Sequence, residues 1–113
     1  MQKLLHTGLL YSGMAFTALL PAVTMAAGDP EAGRVKGYTC TGCHGIPGYK
    51  NVYPTYSVPR IGGQRAEYIE AALIAYKSGE RSHPTMALHS ESLSDQDIAD
   101  IAAWLSSLSG EEE

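Results

Sequence analysis

Apolar residues recur at helical spacing in two parts of the chain. In residues 65–78 they stand three or four positions apart and share one helix face, at Ala66, Ile69, Leu73 and Tyr76. The same spacing returns after residue 94, at Ile98, Ile101, Ala102, Leu105 and Leu108. The pattern predicts one helix from about Gln64 or Arg65 to Ser78. It predicts a last helix that begins after Ser94 and ends by Gly110.

Residues with capping preferences mark the ends of these helices. Ser94 and Asp97 have the spacing of a capping box, in which each side chain bonds to the other residue's backbone N–H. Gly79 stands where a left-handed residue closes a helix. Asp29 and Pro30 predict an earlier start, with Asp as cap and Pro in the first turn. This first helix is predicted to run to about Tyr38 or Thr39.

Two glycines lie on one face of that first helix. Gly33 and Gly37 are four residues apart, and both lower helix propensity. We interpret them as the site of a close helix crossing. The alternative is that one of them simply loosens the helix end. Trp104, beside the apolar stripe of the last helix, is the side chain expected to pack on the glycine face.

The remaining segments lack periodicity. Residues 44–64 turn repeatedly at glycine and proline, which predicts a long ordered loop that folds around something. Residues 83–86 are predicted to be a non-helical stretch between the second and last helices. The predicted fold class is therefore all-α, with three main helices and long loops.

Residues 1–27 have the parts of a secretory signal peptide in order. A short start with Lys3 is followed by a mostly apolar run over residues 7–20, then by Pro21 and by small residues up to Ala27. We predict cleavage after residue 26 or 27 and export to a bacterial periplasm. The mature protein would not be membrane-embedded. An uncleaved anchor is the alternative, but its apolar run is short and diluted.

A cysteine pair supplies the candidate chemistry. Cys40 and Cys43 are three positions apart and His44 follows, a C-x-x-C-H spacing that is typical of c-type haem attachment. On one helical turn, two sulfurs can bind the vinyl groups of a porphyrin while the imidazole reaches the iron. We predict that Cys40 and Cys43 bind one haem c covalently and that His44 is an axial ligand.

Other interpretations of the cysteine pair fit the sequence less well. A thioredoxin-like pair follows a strand, and no strand-like run precedes Cys40. Zinc needs four ligands, so the two thiols would have to recruit from His44, His83 and His89. A disulfide across two residues closes a tiny loop and stabilises little. Haem is favoured.

Chain size favours a bound apolar group. The predicted mature part has about 86 residues, for which a side-chain core is only marginally sufficient. Its large apolar residues are few, and the one phenylalanine, Phe16, lies in the leader. A porphyrin would add a large apolar body to this core.

Met86 is the candidate second iron ligand. The other methionines, Met1, Met14 and Met25, lie in the predicted leader. A thioether ligand favours ferrous iron and raises the reduction potential. His83 and His89 are the reserve ligands, and either would give a bis-histidine site of lower potential.

Charge is unevenly distributed. The basic residues of the predicted mature chain lie within residues 34–81, and the chain beyond Ser82 is acidic or neutral. No basic patch with interleaved aromatic residues is present in the sequence, so nucleic-acid binding is not expected. The asymmetry fits a dipole that orients docking to a redox partner. It fits equally a solvated helix face followed by a frayed tail.

With these features placed, residues 28–109 resemble a class I c-type cytochrome. The resemblance is to small bacterial monohaem carriers and to each half of the tandem dihaem periplasmic cytochromes. The segments that carry it are residues 28–33, 40–45, 59–64, Tyr68, residues 79–81, Met86 and residues 93–104. We therefore assign 28–110 as one cytochrome c domain, between the leader and an acidic tail at residues 111–113.

The resemblance implies a helical fold around one haem, with His44 and Met86 as axial ligands and no reaction beyond electron transfer. It also implies that the Pro59 carbonyl accepts a hydrogen bond from the His44 ring. The haem propionates would meet Gln64, Tyr68 or Arg60.

The expected function is that of a periplasmic one-electron carrier that exchanges electrons with redox partner proteins. The single C-x-x-C-H motif departs from the tandem dihaem pattern, so an internal electron path between two haems is not expected. Alternatives are a haem-bearing subunit of a larger oxidoreductase, or a ligand-binding haem module if the bond to Met86 is labile.

Overall fold

The computed structural model describes residues 27–52 and 55–108. The predicted signal peptide and acidic tail lie outside this part, apart from Ala27. The helices in chain order are α1 (Pro30–Lys36), a 3-10 turn (Tyr38–Cys40), α2 (Thr41–His44), α3 (Ala66–Ser78), α4 (Pro84–Glu91) and α5 (Asp95–Ser107). Within these residues the only β-pairing is an isolated bridge between Lys50 and Ser57. The predicted all-α fold class is confirmed.

Helices α3 and α5 form where the apolar spacing predicted them. Gly79 ends α3 in the left-handed conformation with φ 81°. The predicted capping box begins α5: the Asp97 N–H donates to Ser94 Oγ at 3.1 Å, and the Ser94 N–H donates to Asp97 Oδ2 at 3.0 Å. The core lies between these two helices and comprises Ile69, Leu73, Ile98, Ile101, Ala102, Trp104 and Leu105.

The crossing of α1 over α5 is close enough to require glycine. A β-carbon on Gly33 would lie 1.9 Å from the Asp100 carbonyl oxygen, and one on Gly37 would lie 2.9 Å from the Trp104 ring. The predicted crossing, with Trp104 on the glycine face, is confirmed. Helix α1 ends at Lys36 rather than at Tyr38 or Thr39, and the chain tightens there into the 3-10 turn.

A buried carboxylate ties the start of the fold to α5. Asp100 accepts hydrogen bonds from the Asp29 N–H at 2.8 Å, the Gln96 amide at 2.8 Å and the Lys36 ammonium at 2.6 Å. Lys36 also lies 2.7 Å from Asp97 Oδ1. The segment before α1, α1 itself and α5 are thus joined at one point.

The prediction that residues 83–86 are non-helical is wrong. Helix α4 covers Pro84–Glu91 and packs against α3, so Met86 lies in its first turn. Its N-cap is His83, whose ring nitrogen accepts from the Met86 N–H at 3.4 Å. The pattern missed this helix because histidine is not a usual cap and because α4 has no continuous apolar stripe.

The longest helices of the described residues, α3 and α5, have 13 residues each. None of the helices in this part of the chain has the length and apolar content needed to cross a bilayer.

Candidate haem attachment site

The two cysteines lie three residues apart on one turn of a short helical segment. The 3-10 turn leads into α2, with the Cys40 N–H donating to the Gly37 carbonyl at 2.9 Å and the Gly45 N–H donating to that of Thr41 at 3.0 Å. These bonds hold Cys40 and Cys43 on a single compact element. Both are free thiols and half-buried. The segment therefore presents two sulfurs from one rigid turn.

His44, the last residue of α2, has a fixed ring. Its Nδ1 lies 2.6 Å from the Pro59 carbonyl oxygen. Because a carbonyl can only accept, Nδ1 carries the proton and Nε2 carries the lone pair that a metal requires. The structure thus brings together the two residues that the resemblance pairs. The loop that follows α2 returns to orient the imidazole.

An apolar cavity of about 330 Å³ opens beside these groups. It is bordered by the attachment turn, by the loop around Arg60 and by the end of α5, and its lining residues are Cys40, Thr41, His44, Gly45, Arg60, Ile61, Gly62, Leu105, Ser107 and Leu108. Ile61, Leu105 and Leu108 give it an apolar wall. A cavity of this size with a largely apolar lining is typical of small-molecule and cofactor sites.

The residues present fit a covalently bound haem. A thiol and an imidazole border the same cavity, the second thiol lies on the same turn, and Ile61, Leu105 and Leu108 add hydrocarbon to the lining. Cys40 and Cys43 would form the thioethers and His44 Nε2 would bind the iron. Arg60 at the cavity rim has the charge that a propionate requires.

The other propionate candidates lie elsewhere. Gln64 is exposed and its side-chain oxygen accepts from the Arg65 N–H at 2.9 Å. The Tyr68 hydroxyl accepts from Arg81 Nη1 at 3.4 Å. Neither residue lines this cavity.

Met86 and the two reserve ligands lie on or beside α4. Met86 is half-buried and packs against the hydrophobic core, but it does not line the cavity that His44 borders. His83 is occupied as the α4 cap, and His89 is exposed in the last turn of the helix. The core against which Met86 packs includes Leu105, which also lines the cavity.

Burial affects the first cysteine before any haem is attached. Removal from water raises the pKa of the Cys40 thiol, because the charged thiolate is the form that burial disfavours. Burial at this position therefore favours the thiol form of Cys40. In the described part of the chain, no three His, Cys, Asp or Glu side chains gather into a site for a metal ion.

Sequence reasoning missed the cavity wall. Leu105 and Leu108 were assigned only to the core stripe of the last helix, and Ile61 was not singled out at all. An apolar stripe indicates which face of a helix is buried. It carries no signal for which of those residues border a cofactor and which border another helix.

Comparison with known proteins identifies the class. Residues 35–109 match the sequence model of the family Cytochrome c. Cytochrome c-554(548) of Halomonas halodenitrificans is 45% identical over 84 residues, which are 72% of this chain and 98% of that protein. The cytochrome subunit of sulfide dehydrogenase of Chlorobaculum tepidum is 34% identical over 103 residues, or 89% and 90% of the two chains.

A third relative is longer. Cytochrome c4 of Pseudomonas aeruginosa is 37% identical over 107 residues, which are 95% of this chain but 49% of that protein. The chain therefore spans about half the length of that relative.

A helical fold with a C-x-x-C-H turn beside an apolar cavity defines a c-type haem protein. The chain belongs to the cytochrome c family. Its cofactor is covalently bound haem c, and it takes part in electron transport with redox partners.

Proposed function

We propose that the protein is a periplasmic one-electron carrier with a single haem, whose iron is bound by His44 and Met86. The observation that carries this proposal is the fixed His44 ring, with Nε2 available to a metal, on the same turn as two free thiols. A haem held there by Cys40, Cys43 and His44 would supply one-electron chemistry between the ferric and ferrous states.

The chain's own residues would hold this group in place and shield it. Cys40 and Cys43 prevent its dissociation. The Pro59 carbonyl holds the His44 proton on Nδ1, which fixes the ring orientation and makes the other nitrogen a better ligand. The hydrocarbon of Ile61, Leu105 and Leu108 excludes water from one side of the cavity. A fixed, dry surrounding suits electron transfer because little has to rearrange when the charge changes.

The proposal for Met86 is supported by its place and by its chemistry. It is the one methionine outside the predicted leader. Its half-burial against the core shields a thioether from solvent and oxidation. An axial thioether would give a higher potential than a second imidazole.

The test of Met86 is a spectrum and a redox titration of protein produced in a host that matures c-type cytochromes. The ferric wild type should be low-spin, with the weak red band of sulfur-to-iron charge transfer, and acidified acetone should not extract its haem. Met86→Ala should abolish the band, lower the potential and allow carbon monoxide to bind the ferrous protein.

Leu88→Ala is the matched control, because Leu88 lies on the same helix and is 72% exposed. Its band and potential should equal those of the wild type. An unchanged band in Met86→Ala would exclude this ligand and turn attention to His83 and His89.

Export is tested by cell fractionation and sequencing of the mature N-terminus. The haem protein should be released with the periplasmic fraction and should begin at Ala27 or Gly28. Recovery with the membranes, with residues 1–26 intact, would favour the uncleaved anchor instead.

A second candidate is that the chain serves as the haem subunit of a larger oxidoreductase. It is favoured by the similarity to the cytochrome subunit of a sulfide dehydrogenase, which spans 90% of that protein's length. Purification at low ionic strength should then retain a stoichiometric partner that is lost at high salt, because surface charges are screened. A carrier that acts alone should elute as a single chain at both salt concentrations.

A further inference from the structure

Histidine occupies an unusual position at the start of α4. His83 has extended backbone angles, with φ −162° and ψ 107°, and it is the N-cap of the helix. Its ring Nδ1 accepts from the Met86 N–H at 3.4 Å, and its carbonyl accepts from the Ala87 N–H at 2.9 Å. Ser, Thr, Asp and Asn are the usual residues in this role. The side chain that caps the helix therefore bonds directly to the residue proposed to bind iron.

The capping ring is held by aromatic neighbours from two other parts of the fold. The Tyr56 ring, from the long loop, meets it edge-on at 4.8 Å and 88° between planes. The Tyr76 ring, from α3, lies 6.3 Å away at 74°. Tyr76 is itself covered by the Arg81 guanidinium, 4.8 Å from the ring centre. The imidazole thus connects the loop, α3 and α4.

Helix α4 depends on such an anchor for its orientation. It has 8 residues, and a helix this short does not form by itself in water. The first N–H groups of any helix lack partners within the helix, and the Met86 N–H is one of them here. A short serine or aspartate would satisfy that N–H but would not reach Tyr56 and Tyr76. Histidine provides both the acceptor and the ring.

We propose that His83 is a positioning residue for Met86. By capping the first turn of α4 from a fixed place between two tyrosines, it sets the position from which the Met86 thioether reaches the iron. This inference rests on the proposed function, because it requires Met86 to be the axial ligand.

If the His83 cap is lost, added imidazole should replace the Met86 sulfur at the iron more easily. Without an acceptor at position 83 the first turn of α4 frays, so Met86 spends more time away from the iron. Added imidazole then binds the vacated position through its nitrogen, with no electron transferred and no covalent bond formed. A lost N-cap changes a folding equilibrium by about fivefold. Ferric His83→Ala should therefore bind imidazole about fivefold more tightly than the wild type.

The experiment measures imidazole binding to ferric holoprotein through loss of the sulfur-to-iron band. His83→Asn retains a capping oxygen but lacks the ring held by the tyrosines, so its imidazole affinity should lie between those of the wild type and His83→Ala. His83→Phe retains the ring but lacks the acceptor, so it should behave like His83→Ala. Leu88→Ala, a truncation on the exposed side of the same helix, should leave the affinity unchanged. Should His83→Ala fail to fold, the Phe and Asn variants provide the same comparison.

The outcomes separate this inference from the ligand assignment. A wild type without the band, together with a Met86→Ala spectrum like its own, removes both proposals. A band that Met86→Ala abolishes, combined with wild-type imidazole affinity in His83→Ala, overturns the role of His83 alone. A His83→Asn variant that binds imidazole as tightly as His83→Ala does also overturns the role of His83, because the capping acceptor would then contribute nothing.

Discussion

Asp100 shows how much one side chain can organise in a small fold. It is 3% exposed, yet it is charged, because a lysine, a backbone N–H and a glutamine amide all donate to it. These donors, with the Lys36 bond first among them, lower the pKa of Asp100 to about 2. The same lysine and the Ser94 cap hold the pKa of Asp97 well below its usual value. The stability of the α1–α5 contact is therefore linked to pH.

The sign of that linkage follows from the depressed pKa values. The unfolded carboxyl has its ordinary pKa of 3.8, whereas the pKa of the folded Asp100 is about 2. The stabilisation is complete above about pH 4 and is lost as the pH falls toward about 2. We expect the thermal midpoint of the wild type to drop through this range.

Replacement of Asp100 tests this linkage. The Asp100→Asn variant should be less stable at neutral pH, because Lys36 loses a buried anionic partner, and its midpoint should fall less steeply with acid. Asp95→Asn, on the exposed start of the same helix, is the control and should retain the wild-type acid dependence. Parallel curves for wild type and Asp100→Asn would contradict this assignment.

Helix contacts differ in how tightly they constrain the sequence. At the α1–α5 crossing the backbone of one helix touches the other, so any side chain at Gly33 has to displace the Asp100 carbonyl. Gly33→Ala should lower the free energy of unfolding by about 1–3 kcal/mol despite alanine's better helix propensity. Chemical denaturation of the holoprotein measures this loss.

The control for Gly33 is the exposed residue that follows it on α1. Arg34 is exposed and pairs only with the exposed Glu31, at 3.4 Å, among its described contacts. Arg34→Ala should change the stability by less than about 0.5 kcal/mol. A Gly33→Ala variant as stable as Arg34→Ala would mean that the two helices separate easily.

The elements that the sequence predicted are those with strong local signals. Helices α3 and α5 have an apolar stripe and standard caps, and α1 has its Asp–Pro start and two glycines. Helix α4 has a proline in its first turn but a histidine cap, and it packs on α3. A contact with a distant residue leaves no periodic pattern in the segment itself, so this helix was not predictable.

The features of the haem site also differ in how well the sequence predicts them. The spacing of Cys40, Cys43 and His44 predicts haem chemistry because the geometry is local to one turn. The Pro59 partner followed from resemblance, not from any pattern, since 15 residues separate it from His44. The cavity wall combines a loop with the end of α5, and only the folded chain brings these together.

At the scale of the whole molecule, the haem is expected to serve as part of the core. The buried apolar residues of the described chain come almost entirely from α3 and α5, while the cysteine turn and the long loop contribute none. Those two segments surround the cavity, so their order depends on what fills it. Haem-free chain should therefore lack the cooperative thermal transition that the holoprotein shows by far-ultraviolet circular dichroism.

Holoprotein with Met86→Ala separates the contribution of the covalently bound macrocycle to stability from that of the proposed bond between Met86 and the iron. It would retain the covalent macrocycle and lose only the sulfur that we propose to bind the iron, so its transition should stay cooperative at a lower midpoint. If haem-free chain unfolds at the holoprotein's temperature, the side chains alone are sufficient for stability.

The crossing of α1 and α5 also gives the protein an optical label. Trp104 is the one tryptophan of the sequence, is 9% exposed and packs directly on Gly37. Its fluorescence therefore comes from a single known position, where an attached porphyrin would quench it by energy transfer. Any event that separates α1 from α5 exposes the indole to water and shifts its emission to the red. Detachment of α1 can therefore be followed without an added dye.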